Sequence, residues 1–151
     1  MSGALYSVSV ITPGALAGGG VPAMAIRPLA SGPGSRPRVK RIECIVHGSP
    51  ATTVLDVYRL TTSLGTANVS VVGQGWQTLD VSGVNVDTGW SAAPTLPGTP
   101  IRIGGTTLAG VIGNGQIITF PEGVTLEFGH TLIVWSPVAG SQMRFTPHWE
   151  E

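Results

Sequence analysis

Residues 115–136 read GQIITFPEGVTLEFGHTLIVWS, and this stretch decides the fold class. Gln116 to Phe120 reads as a strand that stops at Pro121. Val124, Leu126 and Phe128 then alternate with Thr125, Glu127 and Gly129, and Leu132, Val134 and Ser136 alternate with Ile133 and Trp135. Strand side chains repeat every two residues, so this alternation puts one set on a core face and the other on the opposite face. Phe128-Gly129-His130-Thr131 predicts a hairpin turn between the last two of these strands, with Gly129 supplying dihedrals that a Cβ resists. Short antiparallel strands are the expectation, and nothing in the stretch signals a catalytic site.

Working outward, Arg38 to His47 predicts a strand with Lys40, Ile42, Cys44 and Val46 on one face and Val39, Arg41, Glu43 and Ile45 on the other. Gly48-Ser49-Pro50 turns the chain and Thr53 to Leu60 returns, so these two strands are expected to form a hairpin. Leu5 to Ile11, Thr66 to Val72 and Gln142 to Trp149 add further strands, with fragments at Ile101 to Ile103 and Leu108 to Ile112 around Gly104-Gly105. No span holds a 3.6-residue period with capping residues, so almost no helix is expected. About eight short strands with regular turn signals predict an all-β chain, a single antiparallel β-sandwich or jelly roll over residues 1–151 that hides its strand edges.

Two segments stand apart from this pattern. Residues 12–37 are rich in Pro and Gly, and Pro22 and Pro28 each lack a ladder N–H, which predicts an edge strand or an extended N-terminal arm. Residues 74–100 predict a long loop holding Trp76 and Trp90, whose burial would pin it to the barrel wall.

At 151 residues the chain is long enough to bury roughly 68–70% of its unfolded surface. Hydrophobic residues make up 42% and charged residues only 11%, so much of the surface must be Thr, Ser, Gly and small apolar groups, a composition commonly covered by other subunits. A formal net charge of zero gives no general attraction to nucleic acid or to an anionic membrane, and little electrostatic protection against self-association. Cys44 is the single cysteine, so neither an intramolecular disulfide nor a thiolate metal cluster is expected. Its apolar strand predicts a buried, inert thiol. No basic residue precedes Arg27 and no window holds 18 uninterrupted apolar residues, so neither a secretion signal nor a membrane-spanning helix is expected.

Catalytic patterns are missing. There is no G-x-S-x-G elbow, and the histidines lie apart at 47, 130 and 148. No metal-ligand spacing occurs, and the glycine clusters lack the Lys-Ser/Thr of a phosphate loop and a following helix. The expectation is a chain that is not an enzyme and binds no cofactor or metal. Asn68-Val69-Ser70 matches a glycosylation acceptor but falls in a predicted strand, and reads as accidental.

Five of the eight basic residues lie between Arg27 and Arg41. Three readings stand open: a solvated turn and strand end, pairing with carboxylates of a neighbouring subunit or shell, and direct contact with nucleic acid. The second makes Arg27, Arg36, Arg38 and Arg41 candidate contact residues, with Glu150 and Glu151 of the C-terminal WEE as acidic counterparts across a subunit boundary. Trp149 before them is expected to pack into the core. Trp76 and Trp90 are the candidate aromatics for a ligand.

Four stretches together, ALYSVSVITPG, VDTGWSAAPTLPGTP, FPEGVTLEFGHTLIVW and the terminal WEE, resemble small jelly-roll virion proteins of tailed bacteriophages. The resemblance covers most of the chain and implies a capsid decoration (cement) protein, a homotrimer on the outer head surface that binds the major capsid protein or another virion protein. It implies synthesis in the bacterial cytoplasm and residence on the virion. Related jelly rolls occur in tail fibres and receptor-binding tips, so a receptor- or carbohydrate-binding module is the alternative implication.

Overall fold

The computed structural model describes residues 4–19, 21–28, 36–61, 64, 69–75, 81–90 and 100–151, and over those residues the chain is all-β, with no helix. Eleven strands are present among them: Leu5–Ser7 (β1), Val10–Ile11 (β2), Pro22–Pro28 (β3), Arg38–Gly48 (β4), Thr53–Leu60 (β5), Val69–Gly75 (β6), Val81–Thr88 (β7), Ile101–Leu108 (β8), Gly115–Thr125 (β9), Thr131–Trp135 (β10) and Gln142–Glu150 (β11). Every pairing is antiparallel. Five of them nest about the midpoint between β6 and β7: β6 with β7, β5 with β8, β4 with β9, β3 with β10 and β2 with β11. This is the pairing of one long hairpin that has been rolled up, the jelly-roll arrangement. Rolling adds the contacts β5–β10, β3–β7, β4–β11, β1–β11 and β1–β6. The resulting order, β8-β5-β10-β3-β7-β6-β1-β11-β4-β9, forms two layers over one core.

One layer sends Met24, Ile26, Leu55, Val57, Val84, Val86, Leu132 and Val134 inward, and the other sends Val39, Ile42, Cys44, Val46, Met143, Phe145 and Trp149, all essentially without solvent exposure. The two ends of the strand order approach each other. A Cβ at Gly104 of β8 would lie 3.3 Å from Ile118 Cγ2 and from Phe120 Cε1 of β9, so β8 runs through Gly104-Gly105 as one strand where two fragments were expected. A register shift between Val57 and Tyr58 marks the bulge there.

Several local expectations are corrected. The predicted hairpins do not form, because β9 pairs with β4 while β10 pairs with β3 and β5. Glu127–His130 is a turn, closed by the His130 N–H donating to the Glu127 carbonyl at 2.9 Å with Gly129 at φ 87°. It carries the chain from one layer to the other, burying Leu126 and leaving Phe128 exposed. Gly48-Ser49-Pro50 likewise joins β4 and β5, which do not pair. Nor does β9 end at Pro121. Val39 stands opposite Val124 and Arg41 opposite Thr119, so residues 120–123 loop out of the ladder where proline's missing N–H costs nothing. A bulge on β4 at the same place puts Val39 in the core in place of Lys40.

Within the predicted arm 12–37, residues 22–28 are built into the sheet, while residues 20 and 29–35 lie outside the described residues. β3 is an interior strand between β10 and β7, with Met24 and Ile26 fully buried. Pro22 and Pro28 stand at its two ends, so residues 23–27 between them keep every N–H. Within the predicted loop 74–100 lies β7, whose Val84 and Val86 enter the core. The single first strand expected over Leu5 to Ile11 is split into β1 and β2. The break falls where β11 carries Pro147, between the Phe145–Val10 and His148–Ser7 pairs.

The two outer faces differ. On the β5-β10-β3 face a second cluster, Ala25, Leu60 and Ile133, is packed by Tyr58, Leu64, Trp90 and Trp135. Trp90 thus packs on the sheet directly after β7, and residues 76–80 and 91–99 of the predicted loop lie outside the described residues. On the opposite layer, no such cluster covers the outer face of β1, β2, β11, β4 and β9 among the described residues.

Candidate docking face

Residues directly opposite across an antiparallel ladder share a face, so the register writes out this open surface in rows. One row runs Ile11, Arg144, Ile45, Gly115; the next holds Thr146, Glu43, Ile117; a third runs Ser7, His148, Arg41, Thr119. Leu5, Ile11 and Ile117 are exposed at 47%, 43% and 55%, so the face sets aliphatic side chains among charged ones. Two shallow depressions mark it. One, of about 460 Å³, is lined by Ser9, Glu43, Ile45, Ile117, Arg144 and Thr146. The other, of about 190 Å³, lies among Leu5, Tyr6, Lys40, Arg41 and His148.

Charges on the face are partly spent. His148 Nε2 lies 2.8 Å from Glu43 Oε2, and Lys40 Nζ 3.6 Å from Glu150 Oε2. Arg41 and Arg144 have no hydrogen bond or ion pair among the described residues.

Of the candidate contact residues, Arg41 alone is on this face and unpaired. Arg27 is an internal brace: its Nε donates to Asp87 Oδ2 at 2.5 Å, and Ser70 Oγ donates to Asp87 Oδ1 at 2.5 Å. Asp87 is 1% exposed, so this cluster ties β3, β7 and β6 together. It also accounts for Ser70 of the glycosylation pattern, whose Asn68 lies outside the described residues. Arg36 reaches Glu127 at 3.9 Å with both side chains solvated. Arg38 Nε donates to the Glu122 carbonyl at 2.7 Å. Glu150 is held by Lys40 of its own chain. Glu151 Oε1 accepts from Ser82 Oγ and the Gly83 N–H, each at 3.0 Å, so the acidic end is fastened to β7 within one chain. Burial pushes the Glu151 carboxyl above the usual glutamate range, while those two hydrogen bonds pull it back.

Trp76 lies outside the described residues. Trp90 lines a separate pocket of about 310 Å³ with residues 12–17 and 21–23, Thr88 and Gly89, and its buried indole Nε1 finds no acceptor among the described residues. Trp149 packs into the core as expected, its ring stacked on Tyr6. Cys44 is fully buried, with its thiol pushed up to about 12 by burial and then by the Glu43 charge.

Sequence reasoning did not single out Arg144, Ile11 or Ile117. The signal was present: Arg144 falls between Met143 and Phe145, so alternation sends it away from the core. Comparison with protein-family models, with characterised proteins and with solved structures finds no match to this chain.

Proposed function

We propose that this chain is a non-enzymatic structural protein of a bacteriophage particle, a decoration protein that docks on the outer head surface as a homotrimer and stabilises it. The observation that carries the docking reading is the contrast between the two outer faces. Loop residues cover one, and the other presents Leu5, Ile11 and Ile117 to solvent beside arginines with no partner among the described residues. Exposed aliphatic groups around arginine suit a protein interface. The virion assignment rests on the sequence resemblance. A protein that binds the assembled shell and not its loosened form stabilises the shell by mass action, and several copies per oligomer strengthen weak contacts through effective concentration.

Sedimentation with the heads of the encoding phage tests this reading. The wild-type protein is expected to pellet with the heads and raise their disruption temperature, and Ile11→Asp/Ile117→Asp is expected to remain folded and stay in the supernatant. Equal pelleting of both proteins would place the contact elsewhere, and no pelleting of either would end the virion reading.

A receptor- or carbohydrate-binding module is the second reading, favoured by the Trp90 pocket and by an indole N–H that finds no acceptor among the described residues. Glycan-array binding that disappears in Trp90→Ala at unchanged thermal stability would select it.

A further inference from the structure

We propose that Arg41 and Arg144 are a paired anchor for an acidic protein surface, one that presents two carboxylates about 14 Å apart with aliphatic side chains between them. Arg144 stands opposite Ile45, and Ile45 lies four residues along β4 from Arg41. At ~3.4 Å per residue that separation is about 14 Å.

The first support is the way charge is spent across the molecule. Arg27 faces Asp87, Lys40 faces Glu150, Arg102 faces Asp56 and Arg36 faces Glu127. Arg38 is used by the Glu122 carbonyl, and Arg59 lies 3.4 Å from His130 Nδ1. The only two guanidinium groups without a partner among the described residues therefore share one face, and that face also carries exposed Leu5, Ile11 and Ile117. A guanidinium pairs with a carboxylate through two parallel hydrogen bonds, and surrounding aliphatic groups strengthen the pair by excluding water.

The chain's own carboxylates point to the occupant. Asp56, Asp87, Glu43, Glu127, Glu150 and Glu151 are each engaged within the chain. Among the described carboxylates Glu122 alone has no side-chain partner, so the described residues of a second copy offer one free carboxylate to two guanidinium groups, Asp80 lying outside them. A nucleic-acid strand fits no better, because Glu43 lies between the two arginines, where a continuous run of phosphates would meet a like charge. Two separate carboxylates straddle Glu43 without meeting it. The inference rests on the docking part of the proposed function and is independent of its virion part.

The probe is an extended synthetic peptide, Ac-GETVTEG-amide, whose glutamates are about 14 Å apart on one side with valine between them. The control is its glutamine counterpart, Ac-GQTVTQG-amide. Titration into ¹⁵N-labelled protein is expected to shift the amides of β4 and β11. Affinity is expected to fall about tenfold or more with the glutamine peptide, and equally with Arg41→Gln/Arg144→Gln. Binding should also weaken between about 50 and about 500 mM salt. Equal affinity for both peptides, unchanged binding by the double variant, or no binding to either overturns the inference. So does a wild-type oligomer, measured by sedimentation velocity, that becomes monomeric in the double variant, since the occupant would then be a second copy. Heads that lose Ile11→Asp/Ile117→Asp but retain Arg41→Gln/Arg144→Gln would overturn the carboxylate pairing and leave the docking function standing.

Discussion

Replacing Gly73 with alanine drives a methyl group into Trp149. A Cβ at position 73 would lie 2.1 Å from Trp149 Cζ2, 2.4 Å from Cη2 and 3.2 Å from Ser82 Cβ. The ring has no room to swing aside. It is fully buried and stacked on Tyr6 with centroids 6.3 Å apart and 13° between planes, and its Nε1 donates to Ser82 Oγ at 3.2 Å. Ordinary overpacking costs ~1–3 kcal/mol, and expelling a buried aromatic costs ~3–5 kcal/mol. Gly73→Ala should therefore destabilise by about 3 kcal/mol, a large part of the ~5–15 kcal/mol margin of a typical domain. With a urea slope of ~1–3 kcal/mol/M, the unfolding midpoint falls by about 1–3 M. Trp149→Phe removes the six-membered ring of the indole, which carries both clashing atoms, so in that background the alanine should cost less than about 0.5 kcal/mol, a coupling far above the additivity expected of independent sites. Equal cost in the two backgrounds, or a Gly73→Ala protein as stable as wild type, would refute the argument that Gly73 exists to admit the ring.

Three further outcomes follow from buried groups. The Cys44 thiol, pushed up to about 12, should stay unmodified by a thiol reagent at neutral pH in the native protein and react only at the rate of unfolding, which a timed thiol assay in urea measures. Asp87→Ala leaves Arg27 and Ser70 without their acceptor and should cost about 2–3 kcal/mol by urea unfolding, since hydrogen bonds to charged groups are worth ~1.5–3 kcal/mol each and Arg27 is partly solvated. Glu151 holds its proton more tightly folded than unfolded, so its contribution to stability is present below the ordinary glutamate value of 4.5 and is lost as pH rises through the raised folded value. Glu151→Gln should abolish that fall, and a series of urea midpoints across the acid range would show it as a flatter profile.

What the sequence disclosed was local, and what it concealed was pairing. Alternation placed Ile42, Cys44 and Val46 in the core, and likewise Leu132 and Val134, because side-chain direction depends only on neighbours two residues away. The partners of those strands depend on residues far along the chain. Gly129 and Gly48-Ser49-Pro50 carry the chemistry of tight turns, which is the same whether a turn joins paired strands or crosses between layers. β3 escaped notice because prolines at the two ends of a strand read like prolines within one. β7 escaped because Asn85 and Asp87 are buried polar residues, and Asp87 is tolerated there through Arg27 and Ser70. The candidate docking face was half legible: Arg41 stood in a visible basic cluster, whereas Arg144 was isolated and became a candidate only when β11 and β4 were seen side by side.

The central claim, that the outer face of β11 and β4 docks on a phage head, is tested most directly by electron cryomicroscopy of heads saturated with the protein. The account predicts threefold clusters of density on the shell, with Ile11, Ile117, Arg41 and Arg144 turned toward the capsid surface. A bare shell at saturating protein, or bound copies whose β11–β4 face looks outward to solvent, would contradict it.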